Sequence, residues 1–262
     1  MLRMTQSPIR ATGLQKAYGG NVVLDGVDVE VEPGCIYGYI GPNGAGKTTT
    51  VKILTGLLSD FEGEVEVAGF DPRKDPLEVK RRIGYLPENA VLYDALTVGE
   101  FLLFVGRLHC IDDAVIKARS EAFLDVLDLV DRLSARIVTL SKGMRQKVLL
   151  TASVLHNPDI LFVDEPLSGL DVNSAVVLKE FFRTFADDGR AIFYCSHVMD
   201  VVERICDRIA IIADGKVQAL GTFDELSQRM QESSLEAVFG KLTSEGGEED
   251  KGRALLDALK SA

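Results

Sequence analysis

Gly41-Pro42-Asn43-Gly44-Ala45-Gly46-Lys47-Thr48 decides the reading of this chain. A glycine, four residues and then Gly-Lys-Thr is the spacing of a phosphate loop. The apolar run Cys35 to Ile40 before it predicts a buried strand, and Thr49 to Leu58 after it predicts a helix. In such a loop the glycines let successive backbone N–H groups turn inward around phosphate oxygens, at a helix N-terminus that already favours negative charge. Lys47 is then placed to reach β- and γ-phosphates, and the Thr48 hydroxyl to ligate Mg²⁺.

A second stretch answers the first. Ile160-Leu161-Phe162-Val163 is apolar on both faces, which predicts a central parallel strand, and it ends in the tandem acids Asp164-Glu165. Ligands of open α/β sheets gather at the carboxyl ends of such strands. One acid is therefore expected to hold Mg²⁺, and the other to orient or deprotonate a water. A third apolar strand, Ala191 to Ser196, carries His197 at its end; a lone histidine is more often structural, but this one falls beside the acid pair.

The segments between these strands follow familiar patterns. Ile9 to Val31 alternates apolar and polar residues, as does Glu64 to Ala68, which predicts an antiparallel sheet with one solvated face. Tyr18 ends the first of these strands, either as a half-buried strand tyrosine or as a ring for a base to stack on. Thr97-Val98-Gly99-Glu100 is a capping box for a helix to about Leu108, Asp112 to Leu129 has helical periodicity, and Ser141 caps a helix to about His156. These three helices lie between core strands and predict an inserted helical subdomain at about 90–157. Further on, Ser174 to Asp187 reads as a helix, Asp214-Gly215 as a hairpin turn, and Thr222 to Glu225 as another capped helix start.

Composition limits the alternatives. The chain has 262 residues, 46% hydrophobic and 26% charged, the mix of an ordinary globular protein. No stretch approaches the ~20 apolar residues needed to cross a bilayer, and Met1 to Arg10 lacks the apolar run of a signal peptide, which predicts a cytoplasmic chain. A net charge of −11 argues against nucleic-acid binding. Cys35, Cys110, Cys195 and Cys206 show no paired spacing and are expected as reduced core residues.

Over about Ile9 to Leu242 these motifs, in this order, resemble the ATP-binding cassette (ABC) family. The resemblance implies an α/β fold of the P-loop NTPase type, with an antiparallel β subdomain, a central, mostly parallel sheet and an inserted helical subdomain. It implies ATP and Mg²⁺ as cofactors. Tyr18 matches the family's adenine-stacking aromatic, and Gly41, Pro42, Asn43, Gly44, Ala45, Gly46, Lys47, Thr48 and Thr49 its ATP-binding loop. Thr48, Asp164 and Glu88 are the implied metal ligands, with Glu88 standing where the family usually has glutamine. Lys47, Glu165 and His197 are the implied catalytic groups, the last as the sensor of the γ-phosphate. Ser141, Gly143 and Asp171 are implied to act across a dimer.

Leu140-Ser141-Lys142-Gly143-Met144 departs from the family signature Leu-Ser-Gly-Gly-Gln at two positions. In that form it is similar to ATPases of drug, antibiotic and polysaccharide exporters whose membrane subunit is a separate chain, as is Ser234 to Phe239 near the end. The expected protein is thus the ATPase subunit of an exporter, peripheral on the cytoplasmic face of the membrane, paired with a second ATPase subunit and a polytopic partner. An importer subunit, or a soluble cassette acting on ribosomes or DNA, is the alternative. The cassette is expected over 1–243, and the acidic residues 244–262 as a flexible tail, with a weak helix at Arg253 to Lys260.

Overall fold

The strand that feeds the phosphate loop lies inside the main sheet of the computed structural model, which describes residues 7–88, 92–243 and Leu259. This strand, β3 (Ile36–Ile40), is buried at every position. It pairs in parallel with β7 (Ala191–Cys195) on one side and β8 (Arg208–Ala213) on the other. Among the described residues the sheet has six strands, in the order β5 (Ile83–Leu86), β6 (Ile160–Asp164), β7, β3, β8, β9 (Lys216–Gly221). All pairings are parallel except β8 with β9, where Asp214 and Gly215 take φ of 50° and 72° to close the hairpin.

Strands apolar throughout need cover on both faces, and the two clusters divide by alternation. Tyr37, Tyr39, Phe162, Phe193 and Ile212 face one core, shared with α1 (Lys47–Leu54) and a second, antiparallel sheet. Ile36, Ile40, Leu161, Tyr194 and Ile211 face the other, shared with α6 (Val172–Asp187), α7 (Met199–Ile205), α8 (Phe223–Met230) and α9 (Leu235–Thr243). The antiparallel sheet runs β2 (Asn21–Val31), β1 (Ile9–Tyr18), β4 (Glu62–Val67). Its register pairs Ile9 with Val31 and Ala11 with Val29, so the apolar members of each alternating pattern fall on the same buried face. The short α2 (Pro76–Arg82) leads directly into β5.

Between β5 and β6 come α3 (Val98–Leu108), α4 (Asp113–Val126) and α5 (Lys142–Val154), packed around their own cluster of Val98, Leu102, Ile116, Leu124, Ile137 and Val148. Thr97 and Glu100 form the full capping box, and Asp112 and Ser141 cap the next two helices. Several boundaries differ from the sequence reading. α4 stops at Val126 because Asp128 adopts a φ of 52°, and α5 stops at Val154, ahead of Asn157 at 58°. α6 begins two residues before Ser174 because the Asp171 carboxylate caps it, accepting from the Ser174 N–H at 2.9 Å and its hydroxyl at 2.6 Å. Cys110 is exposed, in the left-handed turn that follows α3, whereas Cys35 and Cys195 are buried. The linker at 244–250 lies outside the described residues, as does the tail helix apart from Leu259.

Candidate functional site

A cavity of about 780 Å³ opens where the parallel strands end. Gly41 follows β3, Glu88 follows β5, Asp164 closes β6 and His197 follows β7, so four neighbouring strands each deliver a residue to its wall. This convergence at carboxyl ends is the usual place for a ligand in an open α/β sheet. Gly41, Pro42, Asn43, Gly44, Gly46, Lys47, Thr48 and Thr49 supply the loop side. Ala45 is buried beneath it and does not face the cavity.

The loop has the properties an anion needs. A Cβ on Gly41 would stand 2.2 Å from the Ile212 carbonyl oxygen, so only glycine lets the chain pass β8 this closely. Gly46 precedes the eight-residue α1, which has no acid in its first turn and no side-chain cap. Its first amides and dipole are therefore available to a ligand. The Lys47 ammonium donates to the Gly41 and Pro42 carbonyl oxygens at 2.5 and 3.0 Å, which holds it against the loop. Beneath, the Thr50 hydroxyl donates to the Gly46 oxygen at 3.1 Å and lies 3.1 Å from the Tyr39 hydroxyl, pinning α1 to β3.

Opposite the loop stand the acids. Burial pushes the Asp164 carboxyl up to about 6, and the charges of Glu165 and Glu88 add to this while Lys47 opposes it. Carboxyls crowded in this way favour a cation between them. Thr48, Glu88 and Asp164 offer only oxygen donors, the chemistry Mg²⁺ takes. Among the described residues no three His, Cys, Asp or Glu side chains are arranged to hold a metal alone. A cation here would share its coordination with hydroxyl, water and phosphate oxygens, as Mg²⁺ does at nucleotides.

Glu165, only 9% exposed, takes a φ of 50° just past the strand. Its Oε2 accepts from the Ser196 hydroxyl at 3.0 Å, and its Oε1 accepts from the His197 N–H at 2.7 Å and lies 2.6 Å from His197 Nδ1. A carboxylate so anchored, on the wall of the cavity, can hold a water in a fixed orientation or take its proton.

Other expected residues lie elsewhere. Tyr18 is 47% exposed, with the Lys16 ammonium 4.8 Å from its ring centroid, and does not line the cavity. Neither do Ser141, Gly143 and Asp171, which belong to the N-termini of α5 and α6. Val23, Met199, Glu236, Phe239 and Gly240 complete the wall without having been foreseen. The last three come from α9, whose first N–H, at Leu235, is held by the Glu203 carboxylate of α7 at 3.0 Å.

The family model for ABC transporter matches residues 24–168, from β2 to the turn after Glu165. The chain belongs to the ABC transporter family. Curated ABC relatives include the linearmycin resistance ATP-binding protein LnrL of Bacillus subtilis (strain 168), 34% identical over 222 residues that make up 85% of this chain and 71% of that protein. The daunorubicin/doxorubicin resistance ATP-binding protein DrrA of Streptomyces peucetius is 36% identical over 235 residues, 88% of this chain and 71% of its own length. A solved ATP binding subunit of an ABC transporter superposes with a TM-score of 0.85 at 31% identity, covering 90% of this chain and 99% of that one. The chain is therefore an ABC ATPase subunit, which binds and hydrolyses ATP to power a membrane transporter. No helix among the described residues is long and apolar enough to cross a membrane.

Proposed function

We propose that this subunit drives an exporter through a separately encoded polytopic partner on the cytoplasmic face of the membrane, and that it works as a pair of ATPase chains. Export is supported by the relatives named for resistance to linearmycin and daunorubicin. The observation that carries the chemistry is the convergence of the phosphate loop, Asp164, Glu165 and His197 on one cavity.

In this reading the ATP phosphates lie in the cup of amides from Gly41 to Thr49, with Lys47 on the β- and γ-phosphates and Tyr18 stacking on the adenine. Thr48, Asp164 and Glu88 would hold Mg²⁺, which neutralises charge developing on the phosphates. Glu165 orients the attacking water and receives its proton. His197 fixes that carboxylate and senses the γ-phosphate. Ser141 and Gly143 of a second copy close over the nucleotide, excluding water and strengthening each electrostatic contact, and Asp171 communicates across the pair. Loss of the γ-phosphate releases the second copy. The cycle drives transport insofar as closed and open pairs bind the membrane partner differently. Residues 1–243 form the cassette, with 90–157 as its helical subdomain.

Lys47→Ala tests the reading at its base. Charge-assisted hydrogen bonds are worth about 1.5–3 kcal/mol, so ATP affinity is expected to drop by roughly ten- to a hundredfold. Unchanged affinity in equilibrium binding would remove the phosphate loop from the site. Co-purification of the chain with a polytopic membrane protein tests the partner.

A further inference from the structure

Lys142 stands where the family pattern has glycine, and the cycle above makes no use of its ammonium. That ammonium donates to the Ser168 hydroxyl at 2.9 Å. Ser168 belongs to the turn that starts at the proposed water-activating acid, since its N–H donates to the Glu165 carbonyl oxygen at 3.1 Å. The same turn is fastened one helical turn further along α5. The buried Gln146 donates from Nε2 to the Pro166 carbonyl oxygen at 3.3 Å, and the buried Lys147 reaches the Leu127 carbonyl oxygen at 2.9 Å and the Asp171 carboxylate at 3.4 Å. Between these points Gly143 passes so close that a Cβ on it would stand 2.4 Å from the Gly169 carbonyl oxygen. The start of α5 and the segment from Glu165 to Asp171 are thus joined by side-chain bonds on both sides of a close backbone approach.

We propose that Lys142 is a positioning residue for Glu165, holding through Ser168 the turn on which that carboxylate is mounted. Displacement of the α5 N-terminus is then passed to the site chemistry within the same chain. The inference rests on the reading of Glu165 as the group that orients the attacking water. The geometry favours this role over contact with a nucleotide held by the same chain, because the residue does not line the cavity, and the bond to Ser168 turns the ammonium towards its own chain. An exposed lysine-to-hydroxyl bond contributes little to stability. It can still matter for rate, because a displacement of about 1 Å at a reacting group costs up to about a hundredfold.

The test is steady-state hydrolysis and equilibrium ATP binding by the full-length chain carrying Lys142→Met, Ser168→Ala, both, or Lys142→Arg. The expected result is a kcat lowered about tenfold by each of the first two with ATP affinity unchanged, a double variant no slower than the slower single, and recovery of most of the rate in Lys142→Arg. Melting temperatures within a few degrees of wild type show that the variants fold. A slow Lys142→Met beside a fully active Ser168→Ala would mean that the lysine acts without the turn, and overturns the proposal. Multiplying defects in the double variant, or unchanged rates throughout, overturn it as well. Glu165→Gln, measured alongside, separates the two levels: if that variant turns over normally, the underlying assignment of Glu165 falls, whereas its inactivity together with unaffected Lys142 and Ser168 variants removes the positioning role alone.

Discussion

Glu165 and His197 meet twice, through the His197 backbone N–H at 2.7 Å and through its Nδ1 at 2.6 Å, both at the same carboxylate oxygen. Since β6 and β7 are parallel neighbours with Asp164 opposite Cys195, the residues just past each strand are bound to fall together. Glu165→Gln keeps an oxygen for the His197 N–H but cannot accept a proton from water. Hydrolysis should fall at least about a hundredfold with ATP binding retained. Phosphate release measured beside nucleotide affinity checks this, and turnover near wild type would place the base elsewhere.

Glu88 adds a third carboxylate to the wall that holds Asp164 and Glu165, and its charge helps to raise Asp164. Glu88→Gln removes that charge while keeping an oxygen at the cavity wall, as the proposed metal site requires. The expected change is in kcat, with ATP affinity in Mg²⁺ unaltered. Equal rates for both forms would make Glu88 a bystander.

Where local chemistry sets the structure, the sequence is legible. The spacing from Gly41 to Thr48, the capping pairs Thr97 with Glu100 and Thr222 with Glu225, and the unbroken apolar run into Asp164 all predict elements that are present. Asp171 carried an overlooked signal: an aspartate three residues ahead of Ser174 has N-cap spacing, and α6 starts accordingly. The wall formed by α9 had no such signal. Glu236 and Phe239 reach the cavity on a helix that is packed through Leu235 and Val238 and tied at its start to Glu203 of α7, contacts between distant segments that the family likeness of Ser234 to Phe239 does not reveal.

That wall has an electrostatic consequence. Glu236 is exposed and lines the cavity that would take the triphosphate, with no opposing charge from its own helix turn. Two like charges several ångströms apart in water repel by up to about 1 kcal/mol. Glu236→Gln should tighten ATP binding about threefold, more at low ionic strength and without Mg²⁺. Titration calorimetry at two salt concentrations checks this, and a salt-independent affinity equal to wild type would put the side chain out of range.

His156 predicts acid sensitivity away from the site. Its ring stacks on His109 with centroids 3.8 Å apart, and its Nε2 meets the Ile83 carbonyl oxygen at 2.8 Å. Burial, then the neighbouring His109 and Arg119, push it down to about 4, with the Ile83 hydrogen bond opposing. An unfolded histidine titrates at about 6.5. Between these values the unfolded chain binds a proton that the folded protein does not, so stability falls as pH drops from about 6.5 towards 4 and is unaffected above about 7.5. His156→Gln should flatten the melting temperature over that interval, and an unchanged slope would assign the acid sensitivity to other groups.

In an extended strand, neighbours point to opposite faces, so had β6 run on through Glu165, one of the two consecutive acids would turn away from the cavity. The left-handed backbone at Glu165 breaks that alternation at the last moment, and both carboxylates enter the same chamber. A single dihedral angle, adopted at a cost of about 1 kcal/mol by a residue that has no intrinsic taste for it, is what allows adjacent letters of the chain to serve two different partners.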